Sequence, residues 1–374
     1  MKQIVIKGGR PLFGEVFIEG AKNAALPIFA ASLLTQEEVH LKNIPDIKDV
    51  HTMAQMLEAL GKKVERVNDS EYRISQYGCL NFEAPYELVR QMRASFLVLG
   101  PLLARLGRAK VSLPGGCVIG ARPVDLHLKG LRALGAEIRQ SQGFVEARAP
   151  HLKPAEIYLD YPSVGATEQL MMAAAAIPEK TVILNPAQEP EVYDLACFLQ
   201  KMGACVQLNH SKLEIEGAKH LRGTEHTIIP DRINAGTFLI AAAITSGELF
   251  VHCNPAHLQA LLMKLREMGA EVDEKASGVN LRGKAAYNSI EVETRPYPGL
   301  ATDHQPQIVS LLSLAQGESI VRETVFESRF LYTAELVRMG ADITVRGQTV
   351  VIQGVEHLEG ATVQADDLRA GAAL

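Results

Sequence analysis

The stretch LRALGAEI, residues 131–138, decides the fold because it recurs along the chain in closely related form. The related stretches are LEALGKKV at 57–64, LQKMGACV at 199–206, LREMGAEV at 265–272 and LVRMGADI at 336–343. Their glycines lie 66 to 74 residues apart. Each stretch has the pattern of a helix end, a glycine suited to a left-handed cap, and an alternating strand. Five copies at near-constant spacing indicate a repeat architecture.

A second kind of segment, rich in small and apolar residues, lies between successive glycine stretches. These segments begin at Lys22, Arg93, Gly165, Gly236 and Asp303. A helix that is apolar all round is expected to be buried on all sides, whereas the helix that ends in the glycine stretch is amphipathic. Each repeat is therefore predicted to contain a strand, a buried helix, a strand, an amphipathic helix and a strand.

One more apolar segment, DLRAGAAL, begins at Asp367 and runs to Leu374. It has the pattern of the start of a sixth repeat. We therefore expect an α/β fold of two three-repeat lobes in which the sixth repeat is truncated. A natural fold of five repeats is the alternative, and DLRAGAAL disfavours it.

The composition narrows the class of protein. The chain has 374 residues, with 38 basic and 43 acidic side chains and a formal net charge of −5, which disfavours a nucleic-acid partner. No apolar run is long enough to cross a membrane, and the N-terminus does not have the pattern of a signal peptide. The five cysteines form no C-x-x-C pair, which favours a reducing cytoplasm. No motif for a metal or a cofactor is present, so we expect neither.

The richest candidate for chemistry is the loop LPGGCVIGARPVD at 113–125. Its glycines and prolines predict an irregular, exposed segment. Arg122 could lower the pKa of the Cys117 thiol and make it a better acid or nucleophile. The residues alone leave Cys117 open between this role and a packing role, and we expect the other four cysteines to be core residues.

Charged residues near the starts of the repeats are candidates for anion binding. Lys22 precedes a buried helix and could hold an anion at its N-terminus, although a surface lysine is the ordinary interpretation. Arg93, Arg122 and Arg369 carry guanidinium groups, which suit phosphate and carboxylate. Asp303 could be a helix cap or a general base, and the residues alone favour the cap.

Several of these segments together resemble the UDP-N-acetylglucosamine enolpyruvyl transferase (1-carboxyvinyltransferase) family. The segments are GAKNAALP at 20–27, MRASFLVLGPLLARLG at 92–107, the cysteine loop with the helix after it at 113–138, SVGATE at 163–168, PDRINAGTFL at 230–239, RETVFESRF at 322–330 and DLRAGAAL at 367–374. The resemblance covers the whole chain. The sister enzyme of the shikimate pathway shares the repeat fold but usually lacks the cysteine loop.

The resemblance implies a fold and a reaction. The fold is a two-lobed inside-out α/β barrel, with one lobe at 22–229, the other at 1–21 and 230–374, and the active site between them. The reaction moves the enolpyruvyl group of phosphoenolpyruvate to the 3′-hydroxyl of UDP-N-acetylglucosamine and releases phosphate, the first committed step of peptidoglycan synthesis. No cofactor, metal, nucleic acid or membrane is implied.

The resemblance also assigns roles to residues. Cys117 is the expected acid and can form a covalent adduct with phosphoenolpyruvate, and Asp303 is the expected base. Lys22, Asn23 and Arg122 are expected to hold the phosphate and carboxylate. The UDP-sugar site is expected to be lined by Arg93, Arg122, Pro123, Val124, Asp125, Leu126, Asp303 and Val325, with Ser163, Val164 and Gly165 beside the uridine.

The family pattern continues past DLRAGAAL with a D-R-G-Y-E segment, whose arginine reaches phosphoenolpyruvate and which is absent from this sequence. Arg369 is retained and is a further candidate for substrate binding. Three hypotheses stay open at this point: a working transferase, a UDP-sugar-binding or regulatory paralogue that is catalytically impaired, and a piece of a longer parent protein.

Overall fold

The computed structural model describes residues 3–114 and 123–374, which divide into two compact lobes. We call residues 19–114 and 123–229 the first lobe, and residues 3–18 and 230–374 the second lobe. Each lobe has its own hydrophobic core of buried residues. None of the helices in these described ranges is both long and apolar enough to cross a membrane.

The helices and strands alternate along the whole described chain. The α-helices are α1 Lys22–Ala31, α2 Lys48–Ala59, α3 Tyr86–Val89, α4 Leu99–Leu106, α5 Asp125–Ala133, α6 Val164–Ala174, α7 Pro190–Lys201, α8 Arg232–Ile244, α9 Gln259–Glu267, α10 Gln305–Leu312, α11 Thr333–Arg338 and α12 Leu368–Ala373. The strands are β1 Phe13–Phe17, β2 Val39–Lys42, β3 Lys62–Asn68, β4 Glu71–Gln76, β5 Arg108–Ser112, β6 Glu137–Ser141, β7 Phe144–Arg148, β8 Glu156–Tyr158, β9 Lys180–Leu184, β10 Cys205–Leu208, β11 Lys212–Glu216, β12 Glu225–Thr227, β13 Glu248–His252, β14 Glu271–Lys275, β15 Gly278–Arg282, β16 Glu291–Glu293, β17 Glu318–Arg322, β18 Asp342–Arg346 and β19 Thr349–Gln353.

The described strands form five sheets, four with four strands on one plan and one, β5–β7–β6, with three strands. In the sheet formed by β8 to β11, for example, β8 pairs in parallel with β9. Strand β9 in turn pairs with β11 of the antiparallel hairpin β10–β11. The buried helix α6 connects β8 to β9, and the amphipathic helix α7 connects β9 to β10. The prediction of an α/β fold made of repeated strand–helix units is confirmed.

The prediction of a single strand after the amphipathic helix is wrong, because each repeat ends in a hairpin of two strands. Between β6 and β7, for example, Gln142 has φ 52° and Gly143 has φ 78°. Two successive residues of positive φ form the tight two-residue turn that best fits strand twist. Alternation of apolar and polar residues does not by itself mark such a turn, so the second strand of the hairpin is absent from the predicted repeat.

The five repeated glycines confirm the predicted helix ends. Their φ angles lie between 91° and 110°, in the left-handed region that side chains with a Cβ rarely adopt; they are Gly61, Gly135, Gly203, Gly269 and Gly340. The prediction of helices buried on all sides is confirmed for α1 from Ala24 to Ala31 and for every residue of α10, but it is wrong for α8, where Asn234 and Phe238 are exposed.

Two edge strands pair with strands that are distant from them in the sequence. Strand β1 precedes α1 of the first lobe, yet it pairs in parallel with β13 of the second lobe's own sheet. Strand β12, which precedes α8, pairs in parallel with β2 of the first lobe. The chain therefore passes from one lobe to the other near residue 18 and returns near residue 230.

Candidate active site

The two residues expected to do most of the chemistry at the cysteine loop, Cys117 and Arg122, lie outside the described residues. The remaining expected site residues are described, and they are divided between the lobes. Lys22, Asn23, Arg93, the 123–126 segment and the 163–165 segment belong to the first lobe, whereas Asp303, Val325 and Arg369 belong to the second.

Lys22 and Asn23 are the first two residues of α1. The Lys22 ammonium lies 3.2 Å from Oδ2 of Asp49, in the first turn of α2, and its side chain is 23% exposed. Asn23 beside it is exposed. An ammonium group at a helix N-terminus that remains partly open to solvent is able to bind an anion there.

The expected UDP-sugar residues of the first lobe lie at the starts of three helical segments. Arg93 begins a 3-10 helix at Arg93–Val98, Asp125 is the first residue of α5, and Ser163 caps α6 by accepting a hydrogen bond from the Ala166 amide. Pro123 and Asp125 are exposed, whereas Val124, Leu126, Val164 and Gly165 are half-buried.

His127 joins these three segments. Its ring contacts Phe96 of the 3-10 helix edge-on, with centroids 5.5 Å apart, and its Nδ1 shares a 2.6 Å hydrogen bond with Oε1 of Gln169 on α6. A Cβ at Gly165 would lie 3.1 Å from the same ring, so glycine permits this close approach. Burial, with a smaller effect of Arg93, lowers the His127 pKa to about 4, so the ring is neutral near pH 7. Sequence reasoning found no role for His127.

In the second lobe, Asp303 lies between two arginines. Its Oδ1 accepts a hydrogen bond from Arg329 Nη2 at 3.1 Å, and its Oδ2 accepts one from Arg369 Nη2 at 3.1 Å. The Asp303 side chain is 27% exposed, whereas that of Arg329 is only 2% exposed. The structure thus brings together two expected site residues, Asp303 and Arg369.

Arg329 is the residue that sequence reasoning missed at this position. It lies within RETVFESRF, the segment that also contains Val325. The only available signal was the position of an arginine in that segment, because an apolar–polar pattern does not tell a buried arginine from a surface one.

The prediction that the other cysteines are core residues is wrong for three of them: Cys79, Cys197 and Cys205 are exposed, and only Cys253 is buried. Alternating strands and amphipathic helices have an outer face, and Cys197 and Cys205 lie on it. Within the part of the chain that the structure describes, no group of three or more His, Cys, Asp or Glu side chains is arranged to hold a metal ion.

Known proteins are similar to the chain over its full length. The model of the EPSP synthase (3-phosphoshikimate 1-carboxyvinyltransferase) family matches residues 6–374. UDP-N-acetylglucosamine 1-carboxyvinyltransferase 1 of Caldanaerobacter subterraneus is 50% identical over 374 residues, with 100% of this chain and 90% of that protein covered. UDP-N-acetylglucosamine 1-carboxyvinyltransferase 2 of Carboxydothermus hydrogenoformans is 52% identical with the same coverage.

A solved structure is similar over the same length. The crystal structure of the enolpyruvyl transferase NikO from Streptomyces tendae has a TM-score of 0.87 and 25% identity, covering 98% of this chain and 88% of that one. The resemblance drawn from the sequence segments is confirmed, because curated relatives at about half identity span every residue of the chain. The chain therefore belongs to the EPSP synthase family and, within it, to the UDP-N-acetylglucosamine 1-carboxyvinyltransferases.

Proposed function

We propose that this protein transfers the enolpyruvyl group of phosphoenolpyruvate to the 3′-hydroxyl of UDP-N-acetylglucosamine and releases phosphate. The observation that carries the proposal is the 50% identity, over the full chain, to a relative named for this reaction. The retained Lys22, Asp303 and Arg369, each with a charged partner in its own lobe, are consistent with it.

The proposed reaction is an addition followed by an elimination. In the addition, Cys117 gives a proton to the methylene carbon of phosphoenolpyruvate while the sugar oxygen bonds to the adjacent carbon and Asp303 takes the hydroxyl proton. In the elimination, the new methyl group loses a proton and the bond to the phosphate oxygen breaks. The thiol of Cys117 can also add to that adjacent carbon and form a covalent adduct.

Fixed cations stabilise the anionic groups of the substrates in this proposal. Lys22, Asn23 and Arg122 hold the phosphate and carboxylate of phosphoenolpyruvate, and Arg369 adds a further guanidinium in the second lobe. The starts of the three helical segments around His127 bind the UDP-sugar, through Arg93, the 123–126 segment and the 163–165 segment. Asp303 and Val325 contact the sugar from the second lobe.

The proposed place of the reaction is the cytoplasm, as the first committed step of peptidoglycan synthesis. The four described cysteines are free thiols, as is usual in a reducing compartment. A catalytically impaired UDP-sugar-binding paralogue is not favoured, because the curated relatives that match the whole chain carry the transferase name.

Phosphate release tests the proposed function. Purified protein is mixed with phosphoenolpyruvate and either UDP-N-acetylglucosamine, shikimate 3-phosphate or no acceptor. The proposal expects release only with the sugar nucleotide. Release with shikimate 3-phosphate alone would contradict it, whereas calorimetric binding of the sugar nucleotide without release would identify the impaired paralogue.

A further inference from the structure

Glu323, directly after β17, has a carboxylate that receives four hydrogen bonds. Its Oε1 accepts from Thr294 Oγ1 at 2.9 Å and from the amides of Val325 and Phe326 at 2.8 and 3.1 Å. Its Oε2 accepts from Thr302 Oγ1 at 2.9 Å. The residue is 1% exposed. A buried carboxylate is costly unless such donors replace water, so four donors on one side chain make it a fixed point of the second lobe.

These four donors come from three separate segments of the chain. Thr294 follows the edge strand β16, and Thr302 begins the 3-10 helix Thr302–His304 that contains Asp303. Val325 and Phe326 belong to the segment that leads to Arg329. One carboxylate therefore fixes the segment of the proposed base, the segment of the proposed sugar contact, and the approach to the arginine that holds the base.

The two carboxylate oxygens of Glu323 accept hydrogen bonds from different segments. Within the described part of the chain, Oε2 accepts only from the Thr302 hydroxyl, next to Asp303, whereas Oε1 accepts from the Thr294 hydroxyl and from the Val325 and Phe326 amides. Among the described residues no cation lies within ion-pair distance of Glu323. Its carboxylate therefore acts on its neighbours through the hydrogen bonds that it accepts. The amides can only donate, which requires an acceptor at Oε1, and a second acceptor at Oε2 orients the Thr302 hydroxyl.

We propose that Glu323 is a positioning residue for the transfer: through Thr302 it sets the position of Asp303, and through the two amides it sets the position of Val325. This inference rests on the proposed function. It predicts that the two sets of hydrogen bonds have separate effects: the bond from Thr302 supports turnover, and the bonds from the two amides support sugar binding.

Thr302→Val tests the first half of the claim, because valine keeps the shape and loses the hydroxyl. We expect kcat to fall three- to tenfold while the dissociation constant for UDP-N-acetylglucosamine, measured by calorimetry, stays within twofold. Thr245→Val is the matched control in the same lobe, since the Thr245 hydroxyl donates to the Ala241 carbonyl of its own helix and accepts from the Leu12 amide. The control should leave both quantities unchanged.

Two substitutions of Glu323 test the second half. In Glu323→Gln the amide oxygen can keep both backbone amides, and the NH₂ group can donate to the Thr302 hydroxyl with the direction of that bond reversed, so kcat should fall less than in Thr302→Val and sugar binding should stay within twofold. Glu323→Ala loses all four bonds and should lower kcat and weaken sugar binding, each more than tenfold. A merely structural role predicts the opposite pattern: a lowered melting temperature in all variants with kcat unchanged in Thr302→Val and Glu323→Gln.

Amide hydrogen exchange decides the proposal even if the unaltered protein shows no turnover, which would contradict the proposed function alone. We expect Thr302→Val to speed exchange at 302–304 without a change at 325–326, and Glu323→Ala to speed it at both. Unchanged exchange at 302–304 in Thr302→Val would overturn the positioning role.

Discussion

The guanidinium of Arg329 donates to Oδ1 of Asp303 across 3.1 Å, and the Arg329 side chain is almost fully buried. Arg369 occupies the other carboxylate oxygen at the same distance. The proposed base therefore has both oxygens oriented by fixed donors, one of which belongs to the core of its lobe. Removing Arg329 would leave a partly buried carboxylate with one partner fewer.

Arg329→Met is expected to lower kcat at least tenfold and the free energy of unfolding by roughly 3 kcal/mol, because the partly buried Asp303 carboxylate loses its buried partner. Denaturant unfolding and steady-state rates measure the two effects. Arg338→Met is the control, since the Arg338 side chain is 61% exposed and pairs with Glu335 on the same helix. Such surface pairs contribute little. Equal effects of the two variants would contradict the assignment.

A comparison of Gly61 with Gly203 distinguishes two costs of adding a side chain at the repeated helix ends: the positive φ angle, and the contact of the new Cβ with neighbouring atoms. Both have φ above 100°, but a Cβ at Gly61 would lie 2.7 Å from the Cys79 carbonyl oxygen, whereas nothing lies within 4 Å of one at Gly203. Gly203→Ala should cost roughly 1–2 kcal/mol from the left-handed conformation alone. Gly61→Ala should cost clearly more. Urea midpoints measure both, and an equal loss would show that crowding at Gly61 is relieved.

The repeat made most of the fold predictable from the sequence. Glycine at a left-handed helix end and an apolar helix buried on all sides are local consequences of residue type, and they recur five times. The pairing of strands that are distant in the sequence was harder to predict. The β12–β2 pair depends on closing a long segment of chain, for which the sequence has no local signal.

Lys62 is expected to make the protein more stable as the pH rises above 7. Its ammonium is buried and donates to the Thr35 carbonyl at 2.7 Å, and burial, with a smaller effect of Arg105, lowers its pKa to about 7. An unfolded lysine titrates near 10.4, so between these values the unfolded chain binds more protons. Stability should rise by about 2 kcal/mol from pH 7 to pH 9.

Lys62→Met isolates this contribution. The variant lacks the titrating group, so its stability relative to the unaltered protein should be highest at pH 7 and should fall steadily toward pH 9. Urea unfolding at the two pH values measures the difference. A difference that does not vary with pH would show that Lys62 is charged in the folded protein at both.

His127 should have a dependence of the same sign at lower pH, with stability rising as the pH rises. Its pKa is lowered to about 4, whereas an unfolded histidine titrates near 6.5, so the unfolded chain binds more protons in between. Stability is therefore lost as the pH falls through this window, by about 2 kcal/mol between pH 7 and pH 5. His127→Asn should reduce that loss. Equal losses in the two proteins would place the His127 pKa near its ordinary value.

The candidate site was less predictable than the fold, for a physical reason. The sequence identified residues at helix starts, such as Lys22 and Asp303, because those positions have recognisable patterns. It did not identify Arg329, Glu323 or His127, whose importance comes from partners far away in sequence. Burial and hydrogen-bond geometry, which only the folded chain supplies, distinguish these residues from ordinary polar ones.

The most direct test of the central claim is the identity of the product. UDP-N-acetylglucosamine and phosphoenolpyruvate are incubated with the protein, and the sugar nucleotide is recovered and examined by mass spectrometry and NMR. We expect a sugar nucleotide that has gained one enolpyruvyl group as an ether at its 3′-oxygen, with one phosphate released for each. Recovery of unchanged sugar nucleotide after prolonged incubation, from folded protein that binds it, would contradict the account.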